Sequence, residues 1–406
     1  MAAPPKSPSE NSATLPLSGL KVVEFTQLIM GPTVGMILAD LGADVIKIEP
    51  VDGGDPTRKL KGFPAGFFPY FNRNKRSIAV DLKAAEGAAL VRRLIEDVDI
   101  AIENFAPSTM ERLGCDGPTL CGINPRLIYC SLKGFLDGPY AHRSALDEVI
   151  QFMGGLAYMT GPAGRPLRAG TSVVDLMGAT MAVIGILAAM RERDRTGRGT
   201  IVKSSLFEST VFMMGQHMAG AVVTGEKLQP MPEKRGGWSI YEPFKTADGE
   251  QVFIALTSNK HWVNFCESFG LKDLKNDSRL ETNEQRVAAR PWMLPHIVEA
   301  VGKLSKSEVL TLCDRANVPF APVAHVEDLF DDPHLNQSGA LLDIEVSAGK
   351  NAKLPRLPIA MQGHSLNLAQ RAPHVGEHSY AILKGMGFSP DQIAKLVDEG
   401  IVAAPR

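Results

Sequence analysis

The sequence predicts an α/β fold with a parallel sheet, followed by a smaller α/β domain. Three observations predict it. Apolar strand patterns alternate with amphipathic helical patterns through the first third of the chain, a Pro/Gly/charge-rich stretch breaks that alternation after residue 225, and two strand patterns around an Asp-Gly turn follow the break.

The elements justify themselves in order. "KVVEFT" is a buried strand pattern, and "GPTVGMILADLGA" is a helix with Pro32 in its first turn and Gly42 at its stop. "DVIKIE" is the second strand and "RSIAVDL" the third, leading into the helix "AAEGAALVRRLIEDV". "DIAIEN", the short helix "PSTMERLG" and the strand "RLIYCSLKG" continue the alternation. The turn after the first strand, "TQLIMGP", lacks the glycines of a dinucleotide fingerprint, so Glu49 at the end of the second strand is weak support for a nicotinamide site. "QPMPEKRGGW" reads as a linker, "YEPFKTADGEQVFIAL" as two strands around Asp248-Gly249, and "PWMLPHIVEAVGKL" and "SKSEVLTLCDRA" as helices. "NVPFAPVAHVEDLFDDPHL" reads as the exit from this part.

Composition narrows the function. The 406 residues carry 43 Lys+Arg against 45 Asp+Glu, a formal charge of -2, and no basic field recruits nucleic acid or an anionic membrane. Five cysteines without CxxC spacing argue against a disulfide framework or a zinc site and for a reducing, cytoplasmic compartment. Residues 1–16 lack the marks of a signal or transit peptide and read as a disordered tail. The longest apolar run, Leu176–Met190, is fifteen residues, which predicts a core helix of a soluble protein. His374 and His378 have the spacing of a metal pair, but Pro373 and Gly376 oppose a regular helix there, and no metal is expected.

One carboxylate, Asp175, heads that apolar run. Asp is a preferred N-cap, and capping alone accounts for it. Gly170, Thr171 and Ser172 precede it, however, and small residues before a helix N-terminus suit a site where a ligand approaches and negative charge develops. The functional alternative is a carboxylate nucleophile for acyl transfer, and the two roles are compatible.

Six segments, in order along the chain, carry a resemblance: "LSGLKVVEFTQLIMGPTVGMILADLGADVIKIEPVDGGDPTR", "FNRNKRSIAVDLK", "ENFAPSTMERLG", "NPRLIYCSLKGFLDGPYA", "DLMGATMAVIGILAAMRERDRTGRG" and "PHVGEHSYAIL". Together they resemble the family III CoA-transferases, the formyl-CoA and carnitine CoA-transferase group that also includes α-methylacyl-CoA racemase. The resemblance implies a Rossmann-like large domain over residues 17–225 completed by 331–406, a small domain at 226–330, and an interlocked homodimer. It implies that Asp175 is acylated by a CoA thioester and then carries CoA as an enzyme thioester. No tightly bound cofactor is implied; the CoA thioester is a substrate. The CoA contacts it implies are Ile29, Met30, Val80, Asp81, Leu82, Lys83, Asn104, Phe105 and Arg112. Read without it, Lys83 and Arg112 lie on a solvated helix face, and "NRNKR" (residues 72–76) is likewise a charged, solvated turn rather than a phosphate cradle.

Glu148 matches a glutamate near the formyl-CoA transferase active site, where it can orient substrate or raise the pKa of a neighbouring acid; the alternative is a surface residue at a helix start. Gly236 and Gly237, in "RGGWS", stand where the family has a glycine-rich covering loop. Formyl-CoA transferases carry glutamine and arginine at the positions of Ile29 and Pro50, so neither formate nor oxalate is expected as substrate. The racemase branch places a histidine before the aspartate matching Asp147, where this chain has Leu146, and leucine cannot carry a proton. Transfer of CoA from a donor such as succinyl-CoA to a small carboxylic acid, a dicarboxylate or an analogue of one among the candidates, is therefore preferred to racemisation or to non-catalytic CoA binding. Arg165 and Arg168 can meet a second carboxylate, or simply solvate their loop.

Overall fold

The structure, a computed structural model, describes residues 15–233 and 237–404. Residues 1–14 of the expected tail, and Gly236 of the candidate loop, lie outside them. The chain forms two compact units, one from residues up to 232 together with those from 337 onward, the other from residues 233–336.

The first unit is built on a sheet of β1 (Lys21–Phe25), β2 (Asp44–Glu49), β3 (Arg76–Val80), β4 (Ile100–Glu103), β5 (Ile128–Lys133) and β6 (Ile201–Ser205), all parallel. Their spatial order is β3-β2-β1-β4-β5-β6, and the C-terminal strand Val402–Ala403 adds to β3 antiparallel. This is the doubly wound Rossmann-like order, in which the direction of strand addition reverses between β1 and β4. Successive side chains point to opposite faces, as the period of a strand requires. Val22, Val45, Ile100, Ile128 and Cys130 pack one way, against Leu38 and the helix Val173–Thr196; Val23, Ile46, Ile78, Ala101 and Tyr129 pack the other way, against Leu90, Val91 and Leu383. Both faces are covered, so the strands read as near-continuous apolar runs.

The helix Val173–Thr196 is 24 residues long, well beyond the apolar run read from sequence, because Arg191–Thr196 continue it to a left-handed Gly197. By length and composition it could cross a membrane, but Val174, Ala179, Ala182, Ile186 and Ala189 are buried in the sheet's core. Gly178 is needed there: a Cβ would come within 2.5 Å of the Met30 methyl.

"NRNKR" does begin as a charged turn, but its charges at Arg73 and Lys75 are buried rather than solvated. Asn72, Arg73, Asn74 and Lys75 are buried, with Arg73 paired to Asp40 and Lys75 to Glu24. Lys75 Nζ lies 2.8 and 3.0 Å from the two Glu24 oxygens, and Lys47 Nζ lies 2.9 Å from Asp55 Oδ2 and 3.5 Å from Glu24. Each ammonium also donates to a backbone carbonyl near the start of the helix Met30–Asp40: Lys47 to Thr26 and Lys75 to Pro32. Gly35 lets this helix approach so closely that a Cβ would sit 1.8 Å from Glu24 Oε2. Glu49 is equally committed, paired with Arg58 and accepting from Ser77 and the Asp55 amide, which ends any reading of it as a ribose-binding acid.

The second unit has a sheet in the order β7 (Ile240–Lys245), β8 (Gln251–Leu256), β9 (Phe320–Pro322), with Gly249 at positive φ in the β7–β8 turn. Its long helix spans Asn283–Gly302. It begins before the sequence-predicted Pro291 because Thr282 and Gln285 form a capping box, and Pro291 and Pro295 are carried inside it.

Candidate active site

The helix of Asp175 starts at Val173, so Asp175 occupies its third position and Ser172 stands at the cap without a side-chain cap bond. Capping comes instead from Asp147, on a separate short helix, Asp147–Met153. Its buried Oδ2 accepts the amides of Val174 at 2.8 Å and Asp175 at 3.0 Å. The expected cap role of Asp175 is thus overturned: a carboxylate distant in sequence already fills it. The same geometry removes the helix N-terminus as an oxyanion site, since the Val173 amide bonds Thr171 O and the next two amides bond Asp147.

Gln151 fixes Asp147. Fully buried, it donates to Asp147 Oδ1 and accepts the Ala169 amide at 2.8 Å. Glu148, next to Asp147, faces outward and pairs with Arg168. In the sequence Asp147 stands only as the match to a racemase aspartate and Gln151 is missed, its i,i+4 spacing from Asp147 being the one sequence signal.

The carboxylate of Asp175 accepts no hydrogen bond among the described residues. Burial, followed by the charges of Asp147 and Glu148, pushes its carboxyl up to about 7. Acting as a nucleophile, Asp175 would have to be ionised, and that form is lost as pH falls through this value. We expect kcat/KM for the acyl-CoA donor to drop about tenfold per pH unit below pH 7. A pH–rate profile checks it: an acid limb at the ordinary carboxylate value near 4 contradicts this environment for Asp175.

The other candidates gather at the carboxyl ends of the strands. A cleft of about 860 Å³ is lined by Val80, Asp81, Leu82 and Lys83 after β3, and by Phe105 and Arg112 after β4, with Phe25 and Gln27 between. It opens where the strand order reverses, the usual ligand position in such sheets. Lys83 and Arg112 are exposed at its surface. Asn104, Ile29 and Met30 do not line it. Asn104 clamps Gln27 through both backbone groups, at 2.9 and 2.8 Å, and so shapes the turn that lines the cleft. Leu28 in that turn is held at φ 63°, a costly conformation for a leucine, and Ile29 and Met30 beyond it are buried. Ile29 packs with Met36, Phe71 and Leu176, the residue after Asp175, so the turn connects the cleft to the Asp175 helix.

Gly237 lies in the second unit, where its carbonyl accepts from Asn283 at 2.6 Å. Among the described residues no group of three or more His, Cys, Asp or Glu converges as a metal site would require, and His378 Nδ1 accepts the Ser77 amide.

Comparison with known proteins accords with this geometry. Residues 17–379 match the model of CoA-transferase family III. The chain is 34% identical over 380 residues to the succinate–glutarate CoA-transferase of Agrobacterium fabrum, covering 91% of this chain and 95% of that one. It is 33% identical to the succinyl-CoA:mesaconate CoA-transferase of Haloarcula hispanica, covering 91% and 96%. A crystal structure of a CaiB/BaiF family protein from Brucella suis superposes with a TM-score of 0.83 at 34% identity, covering 92% of this chain and all of that one. A Rossmann-like sheet with its cleft at the strand reversal, a carboxylate on the adjoining helix that accepts no hydrogen bond among the described residues, and a family match over most of the chain agree: the protein is an enzyme and belongs to family III of the CoA-transferases.

Proposed function

We propose that the enzyme moves CoA from succinyl-CoA to a small dicarboxylic acid, with Asp175 as the covalent carrier. The observation that carries this is the state of Asp175: partly buried, without a hydrogen-bond donor among the described residues, and beside two further carboxylates. A carboxylate so weakly stabilised is a better nucleophile than a solvated one. The names of the relatives, whose substrates include succinyl-CoA and dicarboxylates, supply the acid class.

Asp175 attacks the thioester carbonyl and expels CoA thiolate, leaving a mixed anhydride. The thiolate attacks the aspartyl carbonyl, forming an enzyme thioester and releasing the donor's acid. The acceptor carboxylate then attacks that thioester, and the thiolate, freed again, takes the acyl group and regenerates Asp175. The amides of Gly170, Thr171 and Ser172, which make no hydrogen bond among the described residues, are available to the oxyanions. Val80, Leu82 and Phe105 offer apolar surface to CoA, Lys83 and Arg112 offer charge to its phosphates, Asp81 turns the backbone between them, and Ile29, Met30 and Asn104 hold the adjoining turn. The family's substrate-orienting roles fall on Glu148 and, separately, on Gly236 and Gly237. We further infer a cytoplasmic enzyme, from its five unpaired cysteines, and a homodimer, supported by the helix Leu206–Thr224, whose Val222 and Val223 are 84% and 85% exposed in the single chain.

Incubation with succinyl-CoA and a panel of acids is expected to yield new acyl-CoA, and hydroxylamine to trap an enzyme-bound thioester. No transfer to any acid, or deuterium exchange at the α-carbon without an acceptor, would refute this reading.

A further inference from the structure

Asp147, Glu148 and Asp175 bring three carboxylates to one end of the long helix. A second carboxylate on an incoming acid meets repulsion there unless a cation receives it. Arg168 is the guanidinium tied to this cluster. Its Nη1 pairs with Glu148, its Nε donates to Ala169 O at 2.9 Å, and its Nη2 makes no hydrogen bond among the described residues. Ala169 in turn gives its amide to Gln151, Gln151 bonds Asp147, and Asp147 bonds the amide of Asp175. The guanidinium and the nucleophile therefore belong to one hydrogen-bonded unit. Arg165, by contrast, has no side-chain partner among the described residues, and nothing orients it.

We propose that Arg168 receives the distal carboxylate of the dicarboxylic acid, with Glu148 holding the guanidinium in place until substrate arrives; this rests on the dicarboxylate reading above. The pair suits such an exchange. Both side chains are part-exposed, at 38% and 45%, and a solvent-facing ion pair is weak enough to re-form around a third partner. The two unused Nη2 donors can join a substrate carboxylate without breaking the Nε tether, and a planar fork matches a carboxylate better than an ammonium does.

The test is internal competition. Enzyme, one acyl-CoA donor and equimolar glutarate and valerate, acids of equal chain length, are mixed, and the ratio of glutaryl-CoA to valeryl-CoA is read. The donor half-reaction and the folded fraction cancel from this ratio, so a merely structural defect does not move it. The wild type is expected to favour glutaryl-CoA, Arg168→Gln to lower the ratio at least tenfold, and Arg168→Lys to fall between. An unchanged ratio in Arg168→Gln overturns the role of Arg168 alone, whereas a wild type that forms no glutaryl-CoA overturns the dicarboxylate reading with it.

Discussion

Asp175→Asn is expected to lower CoA transfer by about 10³-fold or more, because under the proposed covalent mechanism it removes the nucleophile and leaves only binding and orientation. The thioester trapped by hydroxylamine disappears with it. The fold does not depend on this side chain, since the helix N-terminus is capped by Asp147 and no described donor bonds the Asp175 carboxylate. Stability moves the other way. The folded protein holds the Asp175 proton up to about pH 7, whereas the unfolded chain releases it near 4. Its contribution to stability is therefore complete below pH 4 and is lost as pH rises toward 7. Asn cannot ionise, so the variant is expected to melt at a higher temperature than the wild type at pH 8, with the difference gone at pH 4. Opposite signs for rate and stability mark a site where the fold tolerates a destabilised group for its chemistry. Retained turnover in Asp175→Asn would end the covalent mechanism.

The sequence made the parallel sheet legible because its strands are short apolar runs between helices, a pattern local enough to read residue by residue. The resemblance marked the segments around Val80–Lys83 and Phe105–Arg112 as ligand candidates, and the structure brings them into one cleft because both follow carboxyl ends of the same parallel sheet, at β3 and β4 on either side of β2 and β1. What could not be read depends on partners remote in the chain. Asp147 caps amides 27 and 28 residues away, and a single sequence holds no sign of that pairing. Lys75 looked solvated because its neighbours are charged, yet its partner Glu24 lies 51 residues earlier on β1. The Asp175 helix was read short because polar residues end the apolar run, although helix continues until a left-handed glycine stops it.

The buried charges beneath the cleft supply the largest expected change in stability. Glu24, Asp55, Lys47 and Lys75 are fully enclosed and balance in sign. Glu24→Gln leaves two ammonium groups facing one carboxylate, and breaking a buried pair costs about 3–5 kcal/mol. Burial already pushes Lys75 down to about 8 despite Glu24 beside it, so the variant is expected to expel its proton well below that pH. The double variant Glu24→Gln/Lys75→Met removes one charge of each sign and leaves Lys47 paired with Asp55. It should recover much of the loss, because a buried pair replaced whole is often neutral. Urea unfolding at fixed protein concentration distinguishes the cases, and equal midpoints for Glu24→Gln and the wild type would contradict the balance. A second consequence is local. Lys47 and Lys75 hold the carbonyls of Thr26 and Pro32 on either side of the Leu28–Met30 turn, so the single variant should bind CoA more weakly even where it remains folded. The charges that a solvated-turn reading sets aside thereby become the support on which the cleft's central turn rests.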